Sequence, residues 1–165
     1  MNVFEELKGA ETVGITGHIR PDGDCIGSCM GLYSYLKDNC RQLDVTVYLE
    51  TPGSEFHYIR DIDKIQTIPD IKKEYDVFFV LDCSSLDRIE PFHSCFENAK
   101  KTVCIDHHIS NGSFADVNVV DAQASSACEV LYRTLEDDKI SKATAACICT
   151  GIVNDTGVFK YSSTA

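Results

Sequence analysis

The chain has 165 residues, of which 44% are hydrophobic and 25% are charged, a composition typical of one globular domain with its own core. Its formal net charge of −11 argues against binding long nucleic acid through a basic face, because phosphate contacts need lysine and arginine. The sequence has no signal-peptide pattern and no apolar run long enough to span a membrane, so we expect a cytoplasmic protein without a membrane partner.

The cysteine content is high, with nine residues, yet no two of them form a Cys-x-x-Cys motif. Cys25 and Cys29 are four positions apart, and Cys147 and Cys149 bracket a single residue. Neither spacing matches a zinc or redox motif. Because most of the cysteines lie within apolar runs, we expect reduced thiols buried in the core rather than disulfides or a cysteine metal site.

Strand and helix patterns alternate along the chain. The predicted strands are residues 12–16, 44–49, 76–82, 102–105 and 117–120. The predicted helices are residues 2–9, 25–38, 91–100, 124–136 and 143–153, and residues 54–75 read as a short helix and a connection. We interpret His57 as a surface histidine and His93 as structural. The alternation predicts an α/β fold with an open, mostly parallel five-stranded sheet and helices on both faces.

Histidine and aspartate residues follow the ends of three predicted strands. His18, Asp22 and Asp24 follow the first strand, and Asp82 ends the third. The fourth strand is followed by the triplet 106–108, Asp-His-His. Because the carboxyl ends of parallel strands meet at one edge of a sheet, we expect these groups to converge there.

Each of these residues alone has an ordinary structural explanation. Asp22 and Asp24 flank a Pro-Asp-Gly-Asp turn before a helix, and Asp155 follows an apolar helix as a turn acid would. Their repeated placement is harder to explain in this way, since clustered carboxylates repel one another unless a cation neutralises them. Imidazole and carboxylate groups suit divalent first-row metals, so the pattern favours a two-metal centre.

The chain resembles the DHH phosphoesterase superfamily, because four motifs of that family occur in order across residues 12–161. The motifs are Gly-His-x-x-Pro-Asp-Gly-Asp, Leu-Asp-Cys, Asp-His-His and Asn-Asp-Thr-Gly. The similarity is greatest to the nano-RNase and pAp-phosphatase branch, which degrades very short oligoribonucleotides and adenosine 3′,5′-bisphosphate (pAp). One departure is Ser85, near which members of this branch often carry an acidic residue.

The resemblance implies two divalent metal ions, most typically Mn²⁺, held by two sets of ligands that share one carboxylate. The first set would be His18, Asp22 and Asp82, and the second Asp24, Asp82, His107 and Asp155. His108 would face the substrate phosphate, and Asp106 would orient a neighbouring histidine.

The activity implied by the resemblance is hydrolysis of short oligoribonucleotides or pAp by a two-metal-activated water. The alternatives are an inorganic pyrophosphatase of the family II type and a non-catalytic metal-binding regulatory domain. A homodimer is also expected. Members of the superfamily continue into a DHH-associated domain that grips the substrate, whereas residues 1–165 match only the catalytic domain. We therefore expect this chain to be weakly active or inactive on dinucleotides and pAp, with any residual activity on small activated phosphodiesters at high concentration.

Overall fold

A computed structural model describes residues 1–160 of the chain. Five strands form one sheet in which every neighbouring pair is parallel, which confirms the predicted α/β class. They are β1 (Thr12–Thr16), β2 (Asp44–Tyr48), β3 (Val77–Leu81), β4 (Thr102–Asp106) and β5 (Val117–Val120). The order across the sheet is β2-β1-β3-β4-β5. The strand order therefore changes direction between β1 and β3, a switch point that leaves a ligand-binding crevice at the carboxyl ends of such sheets.

The helices lie close to their predicted positions. They are α1 (Val3–Glu6), α2 (Gly23–Asn39), α3 (His93–Glu97), α4 (Ala127–Tyr132) and α5 (Lys142–Asp155). Helices α3 and α4 are shorter than predicted. Helix α4 begins late because Ser126 is extended and its side chain caps the helix by accepting the N–H of Glu129. The predicted short helix within residues 54–75 is replaced by two 3-10 turns, Ser54–Phe56 and Ile62–Lys64.

The core has two parts, one on each face of the sheet, which confirms the predicted covering of both faces. Along β3, Phe79 and its alternate neighbours pack into the larger part together with residues of α2, α4 and α5. Phe78 and Val80 point the other way and pack with Phe92 and Phe96 around α3. Burial on both faces explains why the β3 sequence is continuously apolar rather than alternating.

The predicted burial of most cysteines is confirmed, since all nine are free thiols in the structure and eight of them are buried, with Cys149 exposed. His57 is exposed, as predicted for a surface histidine. His93 lies beside Glu90 and Glu97 on its own face of α3, away from the sheet edge described below. In the described part of the chain, no helix has both the length and the apolar character required to cross a membrane.

Candidate metal centre

The predicted ligands lie at the carboxyl edge of the sheet, beside the switch point between β1 and β3. His18 follows β1, Asp82 follows β3 and His107 follows β4. Asp155 is the last residue of α5, which packs against α2 and α4. The fold thus brings together side chains from segments that are far apart in the sequence.

His18 forms one side of the centre. Its Nδ1–H donates to the carbonyl of Ile19 at 2.8 Å, which turns Nε2 towards the carboxylates. Nε2 lies 3.4 Å from Asp82 Oδ2 and 3.8 Å from Asp22 Oδ1. Burial lowers the pKa of His18, but the two nearby carboxylates outweigh burial and raise the pKa overall. An imidazole held by a backbone carbonyl with its other nitrogen facing carboxylates is a common arrangement for a metal ligand.

His107 forms the opposite side and contacts three carboxylates. Its Nε2 lies 3.3 Å from Asp155 Oδ2, 3.6 Å from Asp82 Oδ1 and 3.7 Å from Asp24 Oδ2. Its Nδ1 lies 3.4 Å from the carbonyl of Ala124, which orients the ring. Ligand atoms of His107, Asp24 and Asp155 all lie within 4.8 Å of one another. This group contains three of the four residues predicted for the second metal, and Asp82 completes it.

Asp82 lies between the two histidines. Its Oδ2 faces His18, while its Oδ1 faces His107. The side chain is buried, and within the described chain Oδ1 accepts no hydrogen bond. A buried carboxylate oxygen without a donor is costly, so this atom fits a bound cation. The backbone of Asp82 has φ of 53°, a left-handed conformation that commonly marks functional sites in non-glycine residues.

Asp24 is the most deeply buried of the second set of carboxylates. Its oxygens accept the N–H groups of Ala127 at 2.6 Å and Cys128 at 3.0 Å, at the start of α4. Burial raises the pKa of Asp24, and the negative charges of Asp82 and Asp155 raise it further. The clustered carboxylates destabilise one another in this way, and a divalent cation between them would relieve the repulsion.

Asp22 is held less tightly than the other predicted ligands. Its side chain is 51% exposed, and its Oδ1 caps α2 by accepting the N–H groups of Asp24 and Cys25. The nearby imidazole of His18 lowers the pKa of Asp22 to about 2. The compact group near His18 consists of His18, Cys25 and Asp82, whose ligand atoms lie within 4.8 Å of one another. Burial raises the pKa of the Cys25 thiol and so favours its protonated form.

His108 and Asp106 form a pair beside the candidate metal ligands. His108 Nδ1 lies 2.7 Å from Asp106 Oδ1 and 3.7 Å from Asp82 Oδ1. Because Nδ1 is engaged by Asp106, it is not available as a metal ligand. The Asp106 carboxylate raises the pKa of His108. Burial acts to raise the pKa of Asp106, but the hydrogen bonds that Asp106 accepts outweigh burial and lower its pKa overall. The ring is 35% exposed, and Nε2 has no hydrogen-bond partner within the described residues.

Two features of the site have no signal in the sequence. The first is the start of α4, where backbone N–H groups bind Asp24 across more than 100 residues of chain. The second is Asn111, whose amide donates to Asp106 Oδ2 at 2.8 Å. An asparagine in a polar loop is ordinary turn chemistry, and no spacing indicates which of its neighbours it contacts.

Comparisons with known proteins agree on one family. The family model described as "DHH family, N-terminal domain" matches residues 12–152. The chain is 29% identical over 168 residues to the "Probable bifunctional oligoribonuclease and PAP phosphatase NrnA" of Streptococcus mutans, covering 98% of this chain and 51% of that protein. It is 26% identical to "Bifunctional oligoribonuclease and PAP phosphatase NrnA" of Bacillus subtilis, covering 93% and 49%.

Two further likenesses broaden the comparison. A "Probable manganese-dependent inorganic pyrophosphatase" of Streptococcus mutans is 26% identical over 91% of this chain and 50% of that protein. The crystal structure of an exopolyphosphatase-related protein from Bacteroides fragilis superposes with a TM-score of 0.86 at 28% identity, covering 99% of this chain and 51% of that chain. The chain thus spans about half the length of the curated relatives it matches.

Proposed function

This chain belongs to the DHH family, and we propose that it is the catalytic part of a metal-dependent phosphoesterase that hydrolyses short oligoribonucleotides or pAp. The observation that carries the proposal is the position of Asp82, whose two oxygens face separate groups of ligands built around His18 and His107. The activities named for the oligoribonuclease relatives support this class of substrate.

The proposed centre holds two divalent cations, with Mn²⁺ as the preferred ion. His18, Asp22 and Asp82 would hold the first, and Asp24, Asp82, His107 and Asp155 the second. Two cations held there would favour ionisation of the attacking water and offset the negative charge of the phosphate. The name of the pyrophosphatase relative supports manganese. The formal charge of −11 makes such cations important, because the chain as a whole repels a phosphate.

His108 is proposed to act on the substrate itself. Its Nδ1 is held by Asp106 at 2.7 Å, which fixes the ring and directs Nε2 away from that pair. The negative charge of Asp106 favours the protonated ring, which can donate a hydrogen bond to a phosphoryl oxygen or a proton to the leaving alkoxide. This function requires His108 to remain free of metal.

The test is hydrolysis by metal-stripped protein reloaded with Mn²⁺. The substrates are a dinucleotide, pAp, inorganic pyrophosphate and a small activated phosphodiester at high concentration. We expect metal-dependent hydrolysis of the activated diester, weak hydrolysis of the dinucleotide or pAp, and no activity in Asp82→Asn. Preferential hydrolysis of pyrophosphate would instead favour a pyrophosphatase. Metal binding without turnover of any of the four substrates would indicate a non-catalytic domain.

A further inference from the structure

The connection between β4 and β5, residues 107–116, has no helix, and the side chain of Asn111 organises its first half. The Asn111 amide donates to Asp106 Oδ2 at 2.8 Å and to the carbonyl of Cys83 at 3.1 Å. Its own carbonyl oxygen accepts the N–H of Ser113 at 2.7 Å. The amide thus bridges the turn after β3 and the end of β4, where it also lies 3.4 Å from Cys104 Sγ.

These two contacts of Asn111 lie next to Asp82 and His108, two residues of the candidate site. Cys83 immediately follows Asp82, so the bond to its carbonyl restrains the turn in which Asp82 has positive φ. Asp106 is completely buried, and its other oxygen binds His108 Nδ1. Because both oxygens of the Asp106 carboxylate accept hydrogen bonds, its orientation is fixed, and this in turn fixes the orientation of the His108 imidazole bonded to it.

We propose that Asn111 is a positioning residue, which sets the direction of the His108 ring through Asp106 and restrains the turn that carries Asp82. The inference rests on the proposed hydrolytic function. In the described chain the Asn111 side chain hydrogen-bonds to none of the proposed metal ligands, so its loss should lower kcat on the activated phosphodiester more than it changes KM or the affinity for Mn²⁺. Groups that orient an active-site ligand in this way typically contribute about 10–100-fold.

The test compares Asn111→Ala with Asn111→Asp in the full chain. The aspartate variant has nearly the same size and keeps the acceptor for Ser113, but it replaces the amide donor with an oxygen that faces the Asp106 carboxylate. Asn118→Ala is the matched control, because Asn118 lies in β5 and its side chain bonds only to the backbone of Ala115 in the same connection. Each variant is examined by thermal unfolding, Mn²⁺ calorimetry, steady-state kinetics and ¹⁵N-resolved NMR of the His108 Nδ1–H, identified by its loss in His108→Ala.

We expect both Asn111 variants to shift or broaden the His108 Nδ1–H resonance and to lower kcat by about 10–100-fold. Asn118→Ala should keep the resonance and the kcat of the wild type. Folded Asn111 variants with the resonance and kcat of the wild type would overturn the proposal. The proposal would also be overturned if Asn118→Ala had equal effects, or if neither Asn111 variant folded. In either case the Asn111 side chain would stabilise the loop or the whole fold rather than position His108. If the wild-type chain hydrolyses nothing, the proposed function fails, whereas the resonance still tests the positioning.

Discussion

Replacing Asp82 with asparagine tests the contribution of its negative charge while the local structure stays the same. Asparagine has almost the same shape, and it tolerates the left-handed backbone that Asp82 adopts at φ of 53°. The variant therefore keeps the turn while it removes one negative charge that faces both His18 and His107. Without metal, Asp82→Asn loses both the repulsion between Asp82 and Asp24 and the attraction between Asp82 and His18, so thermal unfolding serves here to show that the variant is folded.

The expected loss of metal affinity follows from burial. Two unit charges ~4 Å apart interact by about 4 kcal/mol at the effective dielectric constant of ~20 found near protein sites, and by about 1 kcal/mol in bulk water. Asp82 is only 2% exposed, so the first value applies to each cation and corresponds to a loss on the order of 10³-fold. Asp22 is 51% exposed and faces one side of the centre, so Asp22→Asn should weaken one cation by about fivefold.

Calorimetric titration of metal-stripped protein with Mn²⁺ measures both affinities. We expect Asp82→Asn to weaken both binding steps and Asp22→Asn to weaken one of them slightly. Two sites of unchanged affinity in a folded Asp82→Asn protein would refute the bridging position. If Asp22→Asn weakened Mn²⁺ binding more than Asp82→Asn, the contribution of each carboxylate to Mn²⁺ affinity would not be determined by its burial.

The remaining predictions concern other residues. His108→Ala should keep both metals and lose turnover, whereas His107→Ala should lose the second metal; a metal-depleted His108 variant in the same titration would contradict this. Asp76 accepts hydrogen bonds from Lys100 and from backbone N–H groups, which lower its pKa, so its stabilisation is present above about pH 4 and lost on further acidification. Asp76→Asn should therefore reduce the melting temperature at pH 7, with a smaller difference from wild type at pH 3. Gly14→Ala should destabilise the fold by about 1–3 kcal/mol in urea, because its Cβ would lie 2.2 Å from the Phe78 ring, and wild-type stability would show that this ring moves easily.

Much of the sheet was predictable because its signals are local. Each strand is a short apolar run, and the continuous apolarity of β3 correctly indicated burial on both faces. The ends of helices were less predictable, since caps depend on one backbone conformation. Ser126 delays the start of α4, and residues 91–92 lie outside α3, which begins only at His93.

The candidate site was predictable to the extent that topology determines it. Once the strands are parallel, the residues that follow β1, β3 and β4 must meet at one edge, and His18, Asp82 and His107 do so. The contacts that orient these residues were not predictable. The amide of Asn111 and the N–H groups at the start of α4 act through positions that only the folded chain brings together.

Asp24 contacts both His107 and the start of α4, and these contacts link the candidate metal centre to the rest of the fold. The same carboxylate that faces His107 also accepts the first N–H groups of α4, and the carbonyl of Ala124, just before that helix, orients His107. Asp24 and His107 are thus held by adjacent parts of one segment. Because a cation at this point would draw on both residues, its binding would also fix the segment that begins α4. The buried negative charge of Asp24 is therefore stabilised from two directions, by backbone N–H groups on one side and by the proposed cation on the other.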